Sequence, residues 1–360
     1  MAALRPALRH LAILRSALGA TLLVLGAAGV LADVPPPSAT PPLAPGETAI
    51  QTWRGGAKAC FLLMFDDGWP SHADVAVPEL EKRGLVATYY IVPEKGEFKA
   101  REKAWREDLW KRGAVYGNHT LTHHGVKDFE DARREIGKCT EWILDVVPGR
   151  RPRLVSYAQP GVDKGKWNIT GEEKARILEE FHLVERPDFR DHGAVYHLKT
   201  CGDMLALADR AIASGGMEYV IFHGVEHIVS WRTWQDFWAA PQAEFFPFLD
   251  AVAERRDRGD LWVTDHISCH QYETERASAR AKTLAVSPTA IRLSLECDAD
   301  PAFYDLALTL RTRVPDAWTG DALVRQGDRE ARVAIDTETH TVQYDAVPGA
   351  VPIDILPRID

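Results

Sequence analysis

Between residues 59 and 264 short apolar runs alternate with stretches of helical periodicity. Residues 59–65 form an unbroken apolar run, the pattern of a strand buried on both faces. Residues 74–83 carry Val75, Val77 and Leu80 at helical spacing, with Gly84 as a stop signal. Residues 85–92 are rich in β-branched and aromatic side chains and predict a second strand. Further strands are expected over 114–116, 154–157, 182–185, 195–198, 219–223 and 261–264. Helices are expected between them, over 101–112, 127–146, 172–180, 204–213 and 241–256. Repeated strand–helix units of this length predict an α/β fold, a closed or nearly closed barrel of seven or eight parallel strands. Near residue 280 the period changes to two. Residues 290–296, 305–313, 331–335 and 341–344 alternate apolar and polar positions, which predicts a small all-β, sandwich-like accessory domain.

The first 55 residues do not belong to either pattern. Arg5, Arg9, His10 and Arg15 precede an apolar run of small residues that ends at Val30-Leu31-Ala32. This is the composition of a secretory signal peptide; at ~15 residues the run is short for a membrane span. Pro-rich DVPPPSATPPLAPG follows as an extended spacer. The expected organisation is a signal peptide over 1–32, a linker over 33–55, a barrel over 56–278 and the β domain over 279–360. The product would be exported to the periplasm or the extracellular space, with no stable membrane span after cleavage.

Net charge changes the picture of partners. The 360 residues carry a formal charge of −9, which becomes more negative without the arginines of the leader. No basic run is present, so DNA or RNA is a poor partner. The five cysteines are scattered without a CxxC pair, which leaves thiolate zinc and thioredoxin-like chemistry unsupported. Nothing in the sequence fixes an oligomeric state.

Parallel α/β folds place chemistry at the C-terminal ends of their strands. After the first strand stand Asp66, Asp67 and Gly68; after the strand at 114–116 comes GNHTLTHHG, residues 117–125. Later strand ends carry the AQPG loop with Pro160, then Arg186, His223 and Asp265. His119 and His123 are four residues apart and, in a helical turn, share a face that can hold one transition metal. A zinc-protease helix has this spacing too, but needs Glu where Thr120 stands. Asp67 can complete a two-histidine, one-carboxylate set, and the cation would keep the neighbouring Asp66 ionised. Gly68 would let the backbone turn so that both acids serve one site; the same Asp-Gly pair also serves plain β-turns.

FDDG at residues 65–68, His119-Thr-Leu-Thr-His123 and the strand ending in His223 resemble the polysaccharide deacetylases of the fourth carbohydrate esterase family, the NodB-homology domain. The resemblance spans roughly residues 56–270. It implies a distorted (β/α) barrel and a metal-dependent hydrolase that removes acetyl groups from an N- or O-acetylated polysaccharide. It further implies Asp66 as catalytic base, His223 as catalytic acid, and Asp67, His119 and His123 as ligands of a divalent metal, zinc first, with cobalt or nickel as alternatives. Two departures stand out. Met64 precedes FDDG where the family has Thr or Ser, and Ala158 stands where the family has the Arg that holds the catalytic Asp. Arg186 is a candidate substitute from the next strand end. Trp69, Pro160 and Arg186 are candidates for substrate contact. Trp231, Trp234 and Trp238 lie at helical spacing, which fits a core stripe as well as a sugar platform. Two other functions stay open: a carbohydrate-binding protein on the same fold without turnover, and a non-haem iron enzyme using the two-His, one-Asp set.

Overall fold

The computed structural model describes residues 43–187, 197–198, 200–227 and 238–358. The expected signal peptide, most of the Pro-rich spacer, residues 195–196 of one expected strand, and Trp231 and Trp234 lie outside them. Strand β1 (Thr48–Ile50) comes first, followed by β2 (Ala59–Asp66). A π-helical turn, His72–Ala76, leads into α1 (Val77–Lys82), then β3 (Ala87–Ile91) and the short helices α2 (Gly96–Lys99) and α3 (Glu102–Glu107). The alternation continues with β4 (Ala114–Asn118), α4 (Phe129–Val146), β5 (Val155–Tyr157), α5 (Gly171–Glu180) and β6 (Leu183–Glu185). It closes with α6 (Cys201–Ser214), β7 (Met217–Phe222), α7 (Gln242–Asp257) and β8 (Leu261–Thr264).

These seven strands, β2 to β8, form one parallel sheet in the order β6-β5-β4-β3-β2-β7, with β8 also on β2. The sheet forks at β2: β8 pairs with residues 59–62, and β3 pairs with residues 64–66. Among the described residues no ladder joins β6 to β7, so the sheet curls into a half-barrel rather than a closed one. Residues 197–198 of the expected strand at 195–198 belong to no strand.

Strand β2 shows why the apolar run has no polar alternation. Phe61, Leu63 and Phe65 pack into the layer under the helices, while Cys60, Leu62 and Met64 pack into the barrel interior with Tyr90, Ala158 and Ile221. Successive side chains point to opposite faces, and here both faces are buried. The helices follow local rules. Asp128 caps α4 by accepting from Asp131 N at 2.8 Å, and a Thr170–Glu173 capping box starts α5.

After β8 the sequence holds a helix that the apolar pattern did not reveal, α8 (His266–Ser278), capped by Asp265, whose Oδ1 accepts from Ser268 N at 3.0 Å. Seven antiparallel strands follow: β9 (Arg280–Ser287), β10 (Ala290–Glu296), β11 (Leu308–Arg313), β12 (Asp321–Gln326), β13 (Arg329–Ala334), β14 (Thr341–Ala346) and β15 (Gly349–Pro357). They form a five-stranded sheet, β13-β12-β15-β10-β9, and a three-stranded sheet, β1-β11-β14. Ile291, Leu293, Leu310, Val342, Tyr344, Ile353 and Ile355 share its core. Part of the segment read as linker is therefore a strand: Thr48–Ile50 pairs with 310–312 across more than 250 residues, and Ile50 packs on that core. A three-residue strand carries too little pattern to be seen without its partner.

Candidate active site

The two adjacent acids leave β2 by different routes. Asp66 continues the even-numbered set and turns toward the barrel interior. Asp67 would face the helix layer, but its φ of 79° puts it in the left-handed region, and Gly68 follows at 69°. The reversal thus starts one residue before the glycine, at an Asp, a side chain that tolerates this conformation. A Cβ on Gly68 would lie 2.8 Å from Cδ2 of Phe98, so the glycine is needed for close packing as well as for its φ.

Asp66 is gripped by Arg186. Two guanidinium nitrogens donate to its two carboxylate oxygens, at 2.5 Å and 2.9 Å. Arg186 stands just past β6, with its backbone N donating to Tyr157 O at 2.8 Å and its guanidinium 4.6 Å from the Tyr90 ring centroid. Tyr90 is itself fixed by a hydroxyl contact to Ser156 at 2.8 Å, and Ser156 by one to Nδ1 of His266 at 2.7 Å. Burial opposes ionisation of Asp66; the Arg186 charge overrides it and holds the carboxyl below its usual range. Ala158, whose place in the sequence called for the arginine, contributes its carbonyl instead, which accepts from Nδ1 of His119 at 2.8 Å. That bond leaves Nε2 of His119 with its lone pair toward Asp67.

The paired histidines do not sit on a helical turn. Thr120 and His123 both have positive φ, 68° and 62°, and the loop is a series of bends. A β-branched residue in that region is strained, and strain of this kind must be held from outside. Asn118 Oδ1 accepts from Thr120 N at 2.8 Å, and the buried Glu135 of α4 accepts from Thr122 N at 2.9 Å and from its hydroxyl at 2.8 Å. The result brings Nε2 of His119 and Nε2 of His123 to 3.5 Å and 3.3 Å from Oδ1 of Asp67. Ligand atoms of Asp67, His119 and His123 all lie within 4.8 Å of one another.

Oδ1 of Asp67 is buried and has no hydrogen-bond donor. An orphaned carboxylate oxygen facing two imidazole nitrogens is the donor set expected around a divalent ion. Burial drives the imidazole of His119 down to about 4 and lowers that of His123, so both are neutral ligands at neutral pH. Burial also opposes the charge on Asp67, but His223, His119 and Lys95 together hold its carboxyl well below the usual range.

The other oxygen, Oδ2, takes Nε2 of His223 at 2.8 Å and Nζ of Lys95 at 2.8 Å. His223 stands directly after β7, and Nε2 of the buried His72 contacts its backbone O at 2.8 Å. Trp69 lies beside it, ring centroids 5.3 Å apart, and Trp238, 49 % exposed, meets it edge-on at 5.0 Å. Pro160 is buried in its loop, and Arg186 is turned to Asp66. Among the remaining histidines His124 is exposed, His227 pairs with Asp74 at 3.0 Å, and His270 meets the Tyr304 hydroxyl at 3.1 Å.

Lys95 and Glu135 are the residues that motif reading missed. Lys95 stands in the loop after β3, the strand end that motif reading left out. The general rule that every βα loop lines the rim could have found it. Glu135 carries no such signal, since a helical Glu looks solvated until its burial is known.

Among the described residues no helix is long and apolar enough to cross a membrane. Residues 54–176 match the family model described as polysaccharide deacetylase. A curated relative, a gellan lyase from Bacillus sp., is 20 % identical over 337 residues, 87 % of this chain, but the chain spans only 13 % of that protein. Among solved structures, a CE4 family pseudoenzyme from Bacillus anthracis is 15 % identical with a TM-score of 0.40, covering 58 % of this chain and 64 % of that one. A family 4 carbohydrate esterase from Streptomyces lividans, in complex with acetate, gives 16 % and 0.40, covering 59 % and 94 %. A peptidoglycan deacetylase from Bacillus subtilis gives 15 % and 0.39, covering 59 % and 90 %. The stretch that matches the polysaccharide deacetylase model, residues 54–176, holds the two strand-end acids and the paired histidines.

Proposed function

We propose that this protein is a metal-dependent hydrolase that removes acetyl groups from an acetylated polysaccharide, acting after export. The observation that carries the reading is the unequal treatment of two adjacent carboxylates. One is clamped in its ionised form by an arginine, and the other turns a bare oxygen to two neutral imidazoles. Asp67, His119 and His123 would hold the ion, zinc first, with cobalt or nickel as alternatives. Such an ion supplies Lewis acidity toward an acetyl carbonyl and an attacking water.

The chain's own groups divide the proton work. Asp66, ionised and oriented by Arg186, accepts the proton of the water at its carboxylate. His223 donates from its imidazole to the departing sugar nitrogen or oxygen, because an amine anion is too basic to leave unaided. The Asp67 carboxylate, 2.8 Å from Nε2 of His223, holds the imidazole in place beside the metal-facing acid. Trp69 and Trp238, beside His223, offer apolar faces where a sugar ring can stack. Ala158 in place of the family's Arg favours a binding protein without turnover; the bidentate grip of Arg186 on Asp66, from another strand, supports the catalytic reading instead.

The experiment is acetate release over a glycan panel, both N- and O-acetylated, using metal-stripped protein with zinc, cobalt or nickel restored. Asp66→Asn should keep a full complement of metal and lose ~10²–10⁴ in rate. Asp67→Ala should lose the metal itself. Full metal content in Asp67→Ala would show that the roles are wrongly divided, and glycan binding without acetate release on any substrate would favour the non-catalytic reading.

A further inference from the structure

We propose that Lys95 sets the metal affinity of this centre, by neutralising Asp67 through the oxygen that the two imidazoles do not use. The inference rests on the metal-dependent reading above.

The charges are paired two by two. Asp66 is matched by Arg186 at 2.5 Å and 2.9 Å, and Asp67 by Lys95 at 2.8 Å. Leaving the histidines aside, the formal charges of Asp66, Arg186, Asp67 and Lys95 sum to zero before any ion is counted. A divalent cation at Oδ1 therefore meets a donor set with no net negative charge, and shares its only anionic ligand with an ammonium. At carboxylate-sharing distance and in a partly buried setting, like charges repel appreciably. Removing the ammonium would make the set more negative by one unit of charge.

Lys95 is built into this position and does not reach it by chance. Its backbone N donates to Val92 O at 3.0 Å, and it forms the N-cap of α2 directly after the β3 strand end. Its side chain is 23 % exposed, and its Nζ lies 5.7 Å from the Trp69 ring centroid. The ammonium lies over an aromatic ring and is directed at one carboxylate oxygen. Such a residue trades tight retention of the metal for an Asp67 that is already oriented and ionised.

The test uses the full chain as wild type, K95M, K95Q and K95R, each stripped of metal and titrated with zinc against a chromogenic chelator. K95M removes both the charge and the contact; K95Q can keep a hydrogen bond to Oδ2 without the charge. Both should bind zinc at least ~10-fold tighter than wild type, and K95R should stay within ~3-fold. Equal or weaker zinc binding in the neutral variants, with circular dichroism showing them folded, overturns the proposal and identifies Lys95 as an orienting group only. If wild type binds zinc and Asp67→Ala does not, that outcome leaves the metal-dependent reading standing. If neither wild type nor any Lys95 variant takes up zinc, the two fall together.

Discussion

The barrel and the C-terminal β region build their cores from opposite patterns, and they spend their polar groups differently. Strand β2 is buried along its apolar length, whereas β10 alternates buried and exposed positions. A strand with two buried faces has nowhere to place a charge except at its end, so the acids, imidazoles and cations of the barrel collect on one rim. A strand with one wet face can carry charges along its length. In the β region these are used up in cross-strand pairs such as Arg292–Asp354 at 2.7 Å and Arg325–Glu330 at 2.6 Å. The contrast teaches that apolar continuity, more than any single motif, directs the search for chemistry to strand ends.

Three experiments press on this contrast, beyond those already given. The largest effect is expected in the β region. Leu293 is fully buried there, and Leu293→Ala should cost ~2–5 kcal/mol of stability by denaturant unfolding. Zinc bound per folded molecule should not change; a parallel loss of zinc would show that the β region shapes the rim. Next comes Arg186→Ala, which should lower the acetate-release rate by roughly 10–100-fold while metal content stays full. Without the guanidinium the Asp66 carboxyl rises, so the acid limb of the pH–rate profile should move to higher pH. An unmoved acid limb would remove Arg186 from any role in holding Asp66.

Over any single pH unit the smallest effect is one of pH and stability, and it tests whether acid sensitivity resides in the barrel. Burial drives the His266 imidazole down to about 3, from an ordinary value of 6.5. Below 6.5 the unfolded chain takes up a proton that the folded chain refuses. Stability therefore falls as pH drops from 6.5 toward 3, at up to ~1.4 kcal/mol per pH unit from this group. His266→Gln keeps a polar partner for Ser156 and should flatten the thermal-midpoint curve over that window. An unchanged slope would place the acid sensitivity elsewhere.

Much of the barrel was legible from the chain because parallel strands and their helices are local, long and strongly patterned. The strands at 59–65, 114–116 and 261–264 lie within one or two residues of their observed limits. Helix α8 was not legible, since its buried face is made of His266, Cys269, Tyr272 and Glu275, an unusual apolar stripe. Nor were β9, β12 and β15, in part because β9 is mostly exposed and shows no clean alternation.

At the site, sequence alone determined which residue types could meet: two acids at one strand end, two imidazoles four apart at another, and a histidine at a third. Tertiary structure decided how they meet. It put left-handed backbone at Asp67, ahead of the expected turn residue Gly68, and at Thr120 and His123 in place of a helical turn, and it brought Arg186 from another strand to the place Ala158 could not fill. It set Lys95 against the metal-facing acid. Residue type and spacing are written along one dimension, whereas the aim of a carboxylate oxygen depends on loops that only the folded sheet brings side by side.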